Sequence, residues 1–246
     1  MLTSMEGTIA HRLLLNHTAD PAAVAPLLPS GLRPQLVDGD ALIGVCVLRL
    51  RGLRPAGLPR WTSVTTDAAA HRVAVEWDGP EGTEVGVWIV RRDSAQRLPV
   101  LAGGRLFPGV HGAARMDVSD DGTRLSVHLA AADGAEVWAT TAPPSSWTSR
   151  SFASPEEASA FFAAGRLGWS ADHRGRIEGL ELCTEGWRAD PVDAEARVSL
   201  FDDLLPADSW RFDHALLLRD LPVRWRAPRS VPHGEAPVGN PAVAGR

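Results

Sequence analysis

The chain has 246 residues, of which 44% are apolar and 22% charged, and its formal net charge at neutral pH is −5. This composition is typical of a globular protein. It disfavours nucleic acid as a partner, because a clustered basic face usually carries phosphate binding.

All 25 residues of the Lys and Arg class are arginines, so the chain contains no lysine, and it contains no tyrosine either. The codon bias of a GC-rich genome explains these zeros. Whatever their origin, they exclude a Schiff-base lysine, a lysine general base and a catalytic tyrosine. Arginine does not replace lysine in these roles because it stays charged, but it can hold a carboxylate through two hydrogen bonds.

Sequence signals for metals, cofactors, export and membranes are missing. Cys46 and Cys183 fit no zinc or redox spacing, and their separation gives no evidence for a disulfide. Nucleotide-binding glycine motifs, the serine-hydrolase motif and the paired-histidine metal motif are absent. Residues 1–7 do not resemble a signal peptide, and the apolar run 41–48 is far shorter than the roughly 20 residues of a membrane span. We therefore expect no cofactor, no metal, no membrane partner and a cytoplasmic location.

The first half of the chain predicts one helix followed by many strands. An extended segment at 9–17 precedes a helix at 21–28, for which Asp20 is the N-cap. Further strands are predicted at residues 41–50, 71–77, 85–90, 116–118, 125–130 and 135–140. Turn signals that recur about every ten residues are typical of an antiparallel barrel or sandwich. The lack of alternating helices argues against a doubly wound parallel sheet.

The second half predicts a capped helix and then more strands. Ser154 is the N-cap, Glu157 completes a capping box, and Gly165 ends this helix. Strands follow at 167–170, 177–183 and 213–226, with a short helix at 197–205. Residues 9–227 are interpreted as a single domain, and residues 228–246 as a flexible C-terminal tail.

The segment from Ala102 to Met116 is the strongest local candidate for a site. It places Arg105 and His111 in a bend rich in glycine and proline, where backbone can approach a ligand closely. The same composition also fits a tight corner in which the glycines only turn the chain.

Two other residue groups are weaker candidates. Glu181 and Cys183 alternate on one strand face, and the lone cysteine is most simply a small core residue. Glu76 and Glu84 would be an acid–base pair if they shared a cavity, but they flank a turn, which favours a solvated hairpin.

Several segments together resemble the uncharacterised family DUF2071. They are residues 16–21, 27–32, 38–44, 86–88, 92–95, 105–116 and 161–169, in family order. This family is similar to the acetoacetate decarboxylase-like superfamily, whose fold is a closed, cone-like β-barrel with the ligand inside. The resemblance implies a mainly β (α+β) fold, a single antiparallel, closed or nearly closed barrel with two or three short helices.

The sequence departs from the true decarboxylases at the reactive position. In those enzymes a Gly-Arg-Glu segment leads into Gly-x-Pro-Lys-Lys, and one lysine forms the Schiff base. Here Gly104-Arg105 matches the start, Leu106 replaces the glutamate, and Gly112 and Ala113 fall where the lysines would be. Schiff-base decarboxylation is therefore not implied for this chain.

The resemblance implies a pocket that holds an anionic small molecule. The expected site residues are Arg105 and His111 as catalytic groups, with Arg72, Trp88, Arg166 and Trp169 as ligand-binding groups. Inward-facing arginines would favour a carboxylate, a histidine would transfer a proton, and tryptophans would form an apolar wall. Alternatively, the tryptophans are core residues and Arg72 forms an exterior ion pair with Glu76 or Glu84.

Three functions remain open at this point. The first is binding of a small, carboxylate-bearing molecule inside the barrel. The second is a lysine-independent lyase, hydratase or isomerase that uses Arg105 and His111. The third is an interaction protein with a filled barrel. The expected partner is a small-molecule ligand of the organic-acid type, and pairing of an exposed strand edge would give a homo-oligomer.

Overall fold

The computed structural model describes residues 4–95, 109, 111–172 and 174–228. Its strands are β1 Ser4–Ala19, β2 Arg33–Pro34, β3 Leu36–Val37, β4 Asp40–Pro55, β5 Val64–Gly79, β6 Gly82–Ser94, β7 His111–Asp120, β8 Leu125–Ala131, β9 Glu136–Ala142, β10 Leu167–Ala171, β11 Ile177–Cys183, β12 Asp190–Val198 and β13 Trp210–Arg226. Its α-helices are α1 Pro21–Val24, α2 Pro155–Ala164 and α3 Ser199–Leu204. The predicted mainly β fold class is confirmed.

Nine of these strands close into a ring. Its order is β6-β7-β8-β9-β12-β13-β1-β4-β5, and β5 pairs again with β6. Strands β10 and β11 form a second connection, because β10 pairs with β6 and β11 pairs with β13. Among the described residues the pairings are antiparallel, except that β6 runs parallel to β7 and to β10.

The strands β13, β1, β4, β5 and β6 belong to both closures, and their central residues are covered on both faces. Leu13 and Val45 point into the ring and join an inner core with residues of the opposite strands. Leu14 and Cys46 point the other way, into an outer core that α2 and β11 cover. Both faces are apolar, which explains the almost continuous apolar run in β4, since a strand with one solvated face alternates. Each fully buried leucine contributes roughly 1.5–3 kcal/mol.

The two predicted capped helices differ in how far they extend. In α2 the Glu157 backbone N–H donates to Ser154 Oγ at 3.2 Å, and the Ala153 N–H donates to Glu157 Oε2 at 2.9 Å. This helix is confirmed. The first helix is shorter than predicted, because α1 passes into a 3-10 turn over Ala25–Leu27, where Pro26 lacks the N–H that a continued α-helix needs.

Strand β12 was not predicted. Its sequence is Asp-Pro-Val-Asp-Ala-Glu-Ala-Arg-Val, and most of its side chains are partly exposed. It is placed by backbone pairing to β9 and β13.

The predicted tail at 228–246 lies outside the described residues apart from Pro228. No helix in the described part of the chain is both long and apolar enough to cross a membrane.

Two histidines are buried inside the ring. His17 and His71 both contact the ring of Phe201 edge-on, at centroid distances of 5.8 Å. Burial lowers the pKa of His17 to about 4 and that of His71 to about 3, so both are neutral in the folded protein at pH 7. The two ring nitrogens of His71 have no hydrogen-bond partner among the described residues.

The low pKa values of His17 and His71 predict that the folded protein loses stability in mild acid. Their folded pKa values lie below the ordinary 6.5, so between those values the unfolded chain binds more protons. The free energy of unfolding therefore falls as the pH drops from about 6.5 towards 4, with a slope approaching about 1.4 kcal/mol per pH unit for each histidine. Urea unfolding at a series of pH values measures this slope.

His71→Leu should remove one histidine's share of the slope. The matched control is His128→Gln, because the His128 side chain is 45% exposed and pairs with Glu136 on the surface. An unchanged slope in His71→Leu would show that burial of this imidazole is not the cause.

Candidate functional site

Arg72 lies on the outer face of the ring, against α2. It is 5% exposed, and its guanidinium carbon lies 4.9 Å from the centre of the Phe162 ring. Its Nη2 donates a hydrogen bond to Asn16 Oδ1 at 3.0 Å. Burial lowers the pKa of Arg72 to about 10, and the group remains a cation at neutral pH.

The alternative interpretation of Arg72 as an exterior ion pair is wrong. Glu76 instead accepts a hydrogen bond from Arg33 Nε at 2.8 Å. Because Arg72 is buried while Arg33 is exposed, the carboxylate of Glu76 at the surface pairs with Arg33.

A glycine makes room for the contact between Arg72 and Asn16. Gly44 pairs with Asn16 on one side and with Arg72 on the other, in adjacent strands. A Cβ at position 44 would lie 2.4 Å from the Leu15 carbonyl oxygen and 3.3 Å from Asn16 Oδ1. The absence of a side chain at position 44 therefore lets the two polar groups meet above the sheet.

A chain of hydrogen bonds fixes the orientation of Asn16. Asp213 accepts from the Ser149 hydroxyl at 2.6 Å and from His214 Nδ1 at 2.7 Å. Since Nδ1 of His214 carries a hydrogen, its Nε2 accepts from Asn16 Nδ2, at 3.1 Å. Asn16 thereby presents its oxygen to Arg72.

The pKa of Asp213 shows that this series of hydrogen bonds begins at an ionised carboxylate. Burial alone would raise the pKa, but hydrogen bonds from His214, Ser149 and the Arg150 backbone N–H outweigh it and lower the pKa to about 2. Asp213 is therefore charged throughout the physiological range. The series of hydrogen bonds ends at Arg72, so the position of the Arg72 guanidinium depends on side chains from β13 and β1.

Cys46 lies among three arginines on the same outer face. Arg12 Nε donates to Cys46 Sγ at 3.0 Å, and the Arg12 guanidinium carbon lies 5.4 Å from the centre of the Trp187 ring. Burial lowers the pKa of Arg92 to about 10, and the thiol of Cys46 opposes this shift. The same thiol opposes the shift at Arg72. We call Arg12, Arg72, Arg92 and Cys46 the arginine cluster.

The arginine cluster has no carboxylate partner among the described residues. Arg72 bonds to an amide and Arg12 to a thiol. Arg92 Nε is buried without a hydrogen-bond partner, and the buried hydroxyl of Ser170 has none either. An unpaired cation inside a protein is costly, because protein groups replace water poorly as a solvent for charge. The cluster therefore carries positive charge that an anion would compensate.

The predicted tryptophans lie on the opposite side of the sheet. Trp88 and Trp169 are register partners on β6 and β10, and both are fully buried in the inner core. Their indole nitrogens have no hydrogen-bond partner in the part of the chain that is described. Arg72 faces the outer core, so the structure brings the two tryptophans together but separates them from Arg72.

The other predicted site residues do not join the cluster. Arg105 lies outside the described residues. His111 is exposed at the start of β7, although its backbone pairs with Arg92. The Arg166 side chain is 64% exposed, and its Nε lies 3.3 Å from Glu181 Oε1. Their proposed roles stay predictions.

An ion pair lies against Gly112, one of the two positions where the resemblance would place a lysine. A Cβ at Gly112 would lie 2.6 Å from Asp93 Oδ1. Asp93 is fully buried and accepts two hydrogen bonds from Arg91, at 2.8 and 2.9 Å. Burial alone would lower the pKa of Arg91, but hydrogen bonds to Asp93 and Asp133 raise it. A side chain at position 112 would have to displace this pair.

Sequence reasoning missed much of the outer-face site. The residues it did not single out are Arg12, Asn16, Cys46, Arg92 and His214. One signal was available for Asn16, which interrupts the apolar run of β1. A polar side chain in such a run is usually buried with a specific partner.

Comparison with known proteins places the fold and the family. Acetoacetate decarboxylase from Legionella pneumophila has a TM-score of 0.60 at 12% identity, with 94% of this chain and 86% of that chain covered. An acetoacetate decarboxylase-like enzyme from Sphingomonas wittichii RW1 has a TM-score of 0.57 at 13% identity, covering 94% and 93%. The enduracididine biosynthesis enzyme MppR complexed with pyruvate has a TM-score of 0.53 at 13% identity, covering 90% and 87%.

Comparison of sequences gives a family without an activity. No curated protein matches the chain. The sequence model of DUF2071, described as an uncharacterized conserved protein, matches residues 7–214. The chain, whose fold is that of the acetoacetate decarboxylase-like proteins, therefore belongs to the DUF2071 family.

Proposed function

We propose that the protein binds a small, carboxylate-bearing molecule at Arg72 and Arg92, on the outer face of the ring. One observation carries this proposal: the buried Arg72 and the half-buried Arg92 have no carboxylate partner among the described residues. A buried charge is normally paired, and a carboxylate is the anion whose shape matches a guanidinium.

The geometry at Arg72 supports recognition of an anion. Asn16 occupies Nη2 only, and the other guanidinium nitrogens have no acceptor among the described residues. The hydrogen-bond chain and the Phe162 ring hold the guanidinium in place, so little conformational entropy would be lost on binding. A bidentate carboxylate would use the remaining donors.

The proposed ligand lies outside the ring interior. Leu13, Val45, Val73, Leu129 and other buried side chains fill the inner core. This packing differs from the expectation of a ligand inside a barrel, and it moves the proposal to the opposite face. The neighbour MppR is complexed with pyruvate, a carboxylate of the size that we propose. Without lysine in the chain, capture would be noncovalent.

A second candidate is a lysine-independent enzyme at the same place. Its support is the backbone pairing of His111 with Arg92 across β6 and β7, which places His111 on the strand next to the arginine cluster. In that case the arginines would stabilise developing negative charge and His111 would transfer a proton.

Binding should depend on the negative charge of the ligand. We expect pyruvate to raise the melting temperature, whereas its neutral amide should not, because only ligands that bind the native state stabilise it. Arg72→Gln and Arg92→Gln should each weaken binding about tenfold or more, given that a hydrogen bond to a charged group contributes about 1.5–3 kcal/mol. Calorimetric titration measures the affinities.

The control for this titration is Arg33→Gln. Arg33 is an exposed arginine already paired with Glu76 and Asp78, so its loss should leave the affinity unchanged. A panel of small carboxylates that neither stabilises nor binds the wild-type protein would contradict the proposal. Turnover of any panel member, lost in His111→Ala, would favour the second candidate.

Two adjacent arginines give a test that needs no ligand. Arg91→Met leaves Asp93 buried without its partner, so it should lower the free energy of unfolding by about 3–5 kcal/mol. Arg92→Met replaces a half-buried cation, which has no carboxylate partner in the described part of the chain, with an apolar group and should raise the free energy of unfolding by about 1 kcal/mol. Denaturant unfolding measures both. If Arg92→Met were as destabilising as Arg91→Met, Arg92 would be a structural residue and the anion site would be excluded.

A further inference from the structure

A wide groove opens at the ends of the shared strands, and its lining includes Trp187, the ring that Arg12 of the arginine cluster contacts. Its volume is about 1410 Å³, larger than the roughly 300–1,000 Å³ of most small-molecule pockets. The ends of β1, β4, β11 and β13 form it. Six arginines line it: Arg51, Arg54, Arg60, Arg166, Arg224 and Arg226. We call it the basic groove.

The basic groove is positive although the whole chain is negative. Its acidic lining residues are Glu6, Glu181 and Glu185, and Asp220 pairs with the lining residue Arg51, so six arginines against four carboxylates leave a formal charge of +2. The chain as a whole has −5. The groove thus concentrates charge of the sign opposite to the rest of the molecule.

Each of two glutamates is shared between two arginines. Glu6 pairs with Arg54 at 2.6 Å and with Arg224 at 3.3 Å. Glu181 is shared in the same way by Arg166 and Arg226. A carboxylate neutralises one guanidinium only, so each set keeps one unit of positive charge. The Arg166, Arg224 and Arg226 side chains are 46–64% exposed, and such exposed pairs exchange partners at little cost.

An exposed tryptophan stands at the rim. Arg60 and Ser63 line the groove, and Trp61 between them is 85% exposed. Leu58, in the same loop, is 47% exposed. Tryptophan and arginine are both enriched in protein–protein interfaces. A groove that bound only small anions would account for the arginines but not for the exposed tryptophan.

The geometry points to an acidic peptide segment of a protein partner as the occupant of the basic groove, with carboxylates on the arginines and an apolar side chain against Trp61. The groove, at about 1410 Å³, is larger than one small acid would fill, and its charge favours carboxylates. The chain's own residues 229–246 are a poor match, since they contain one acidic residue, Glu235, and two arginines.

Fluorescence anisotropy with a labelled twelve-residue peptide of alternating glutamate and leucine tests this inference. The matched probe has glutamine in place of every glutamate. We expect the acidic peptide to bind at least tenfold more tightly than the neutral one, and salt to weaken it, because exposed charges are screened beyond about 10 Å at 0.1 M.

Substitutions locate the binding. The double variant Arg224→Gln/Arg226→Gln should bind the acidic peptide about tenfold more weakly, and Trp61→Ala several-fold more weakly. Arg115→Gln is the control, because the Arg115 side chain is 81% exposed and lies on β7, outside the groove lining. Equal affinities in the control and the double variant would overturn the inference.

Cys183 allows a second measurement on the unaltered chain. It lines the basic groove and is partly exposed, whereas Cys46 is buried. The acidic peptide should slow iodoacetamide labelling of Cys183, read by mass spectrometry, and leave Cys46 unaffected. This readout decides the matter if the double variant fails to fold.

Four results would overturn the inference. They are no binding of the acidic peptide, equal binding of the neutral peptide, equal binding of a twelve-nucleotide oligothymidine, or self-association of the protein that the same arginine substitutions abolish. The last would assign the groove to a second copy of this chain. None of these results bears on pyruvate binding at Arg72, so the two proposals fail independently.

Discussion

The burial of five strands on both faces is the constraint from which the rest of the structure follows. In the central parts of β13, β1, β4, β5 and β6 consecutive side chains enter the inner and the outer core in turn, so neither face there is open to solvent. A polar residue on these strands must find a partner in the protein, shift its pKa, or bind something. His71 shifts its pKa, Asn16 finds two partners, and Arg92 has neither a carboxylate nor a carbonyl among the described residues.

Arg91 and Arg92 show that this constraint separates even adjacent residues of the same type. They are neighbours with the same side chain, yet Arg91 faces the inner side and forms two hydrogen bonds to Asp93, while Arg92 faces the outer side. Arg91 and Asp93 lie so close to Gly112 that a side chain there would have to displace them. Arg92 contributes to the arginine cluster. Adjacent residues of one strand therefore serve opposite faces of the sheet.

The elements were largely predictable, whereas the partition between the two faces was not. The capping box of α2 and the apolar run of β4 are local signals, and both elements formed. In a regular strand every second side chain points to the same face, so Arg92 would face the inner side as Trp88 does. However, His71 pairs with Arg91 and Arg72 pairs with Ile89, which leaves Val90 as an extra residue in β6 and reverses the alternation after it. Trp88 therefore faces the inner core and Arg92 the outer one. Such a bulge depends on pairing with β5, which no short stretch of sequence reveals. Strand β12 was missed for a similar reason, because pairing and not alternation defines it.

The choice of arginine has a consequence for both proposed sites. A lysine in a buried position loses its proton readily, and this is how a Schiff-base nucleophile is prepared. Arginine keeps its charge even where burial lowers its pKa to about 10, as at Arg72 and Arg92. A chain with arginine as its only Lys-type cation therefore has fixed positive charge at the arginine cluster and at the basic groove. Such charge recognises anions at every physiological pH but does not form covalent adducts with them. Under the two proposals, the arginine cluster would hold a small acid and the basic groove a larger anion, and both would be bound noncovalently because the cations are arginines.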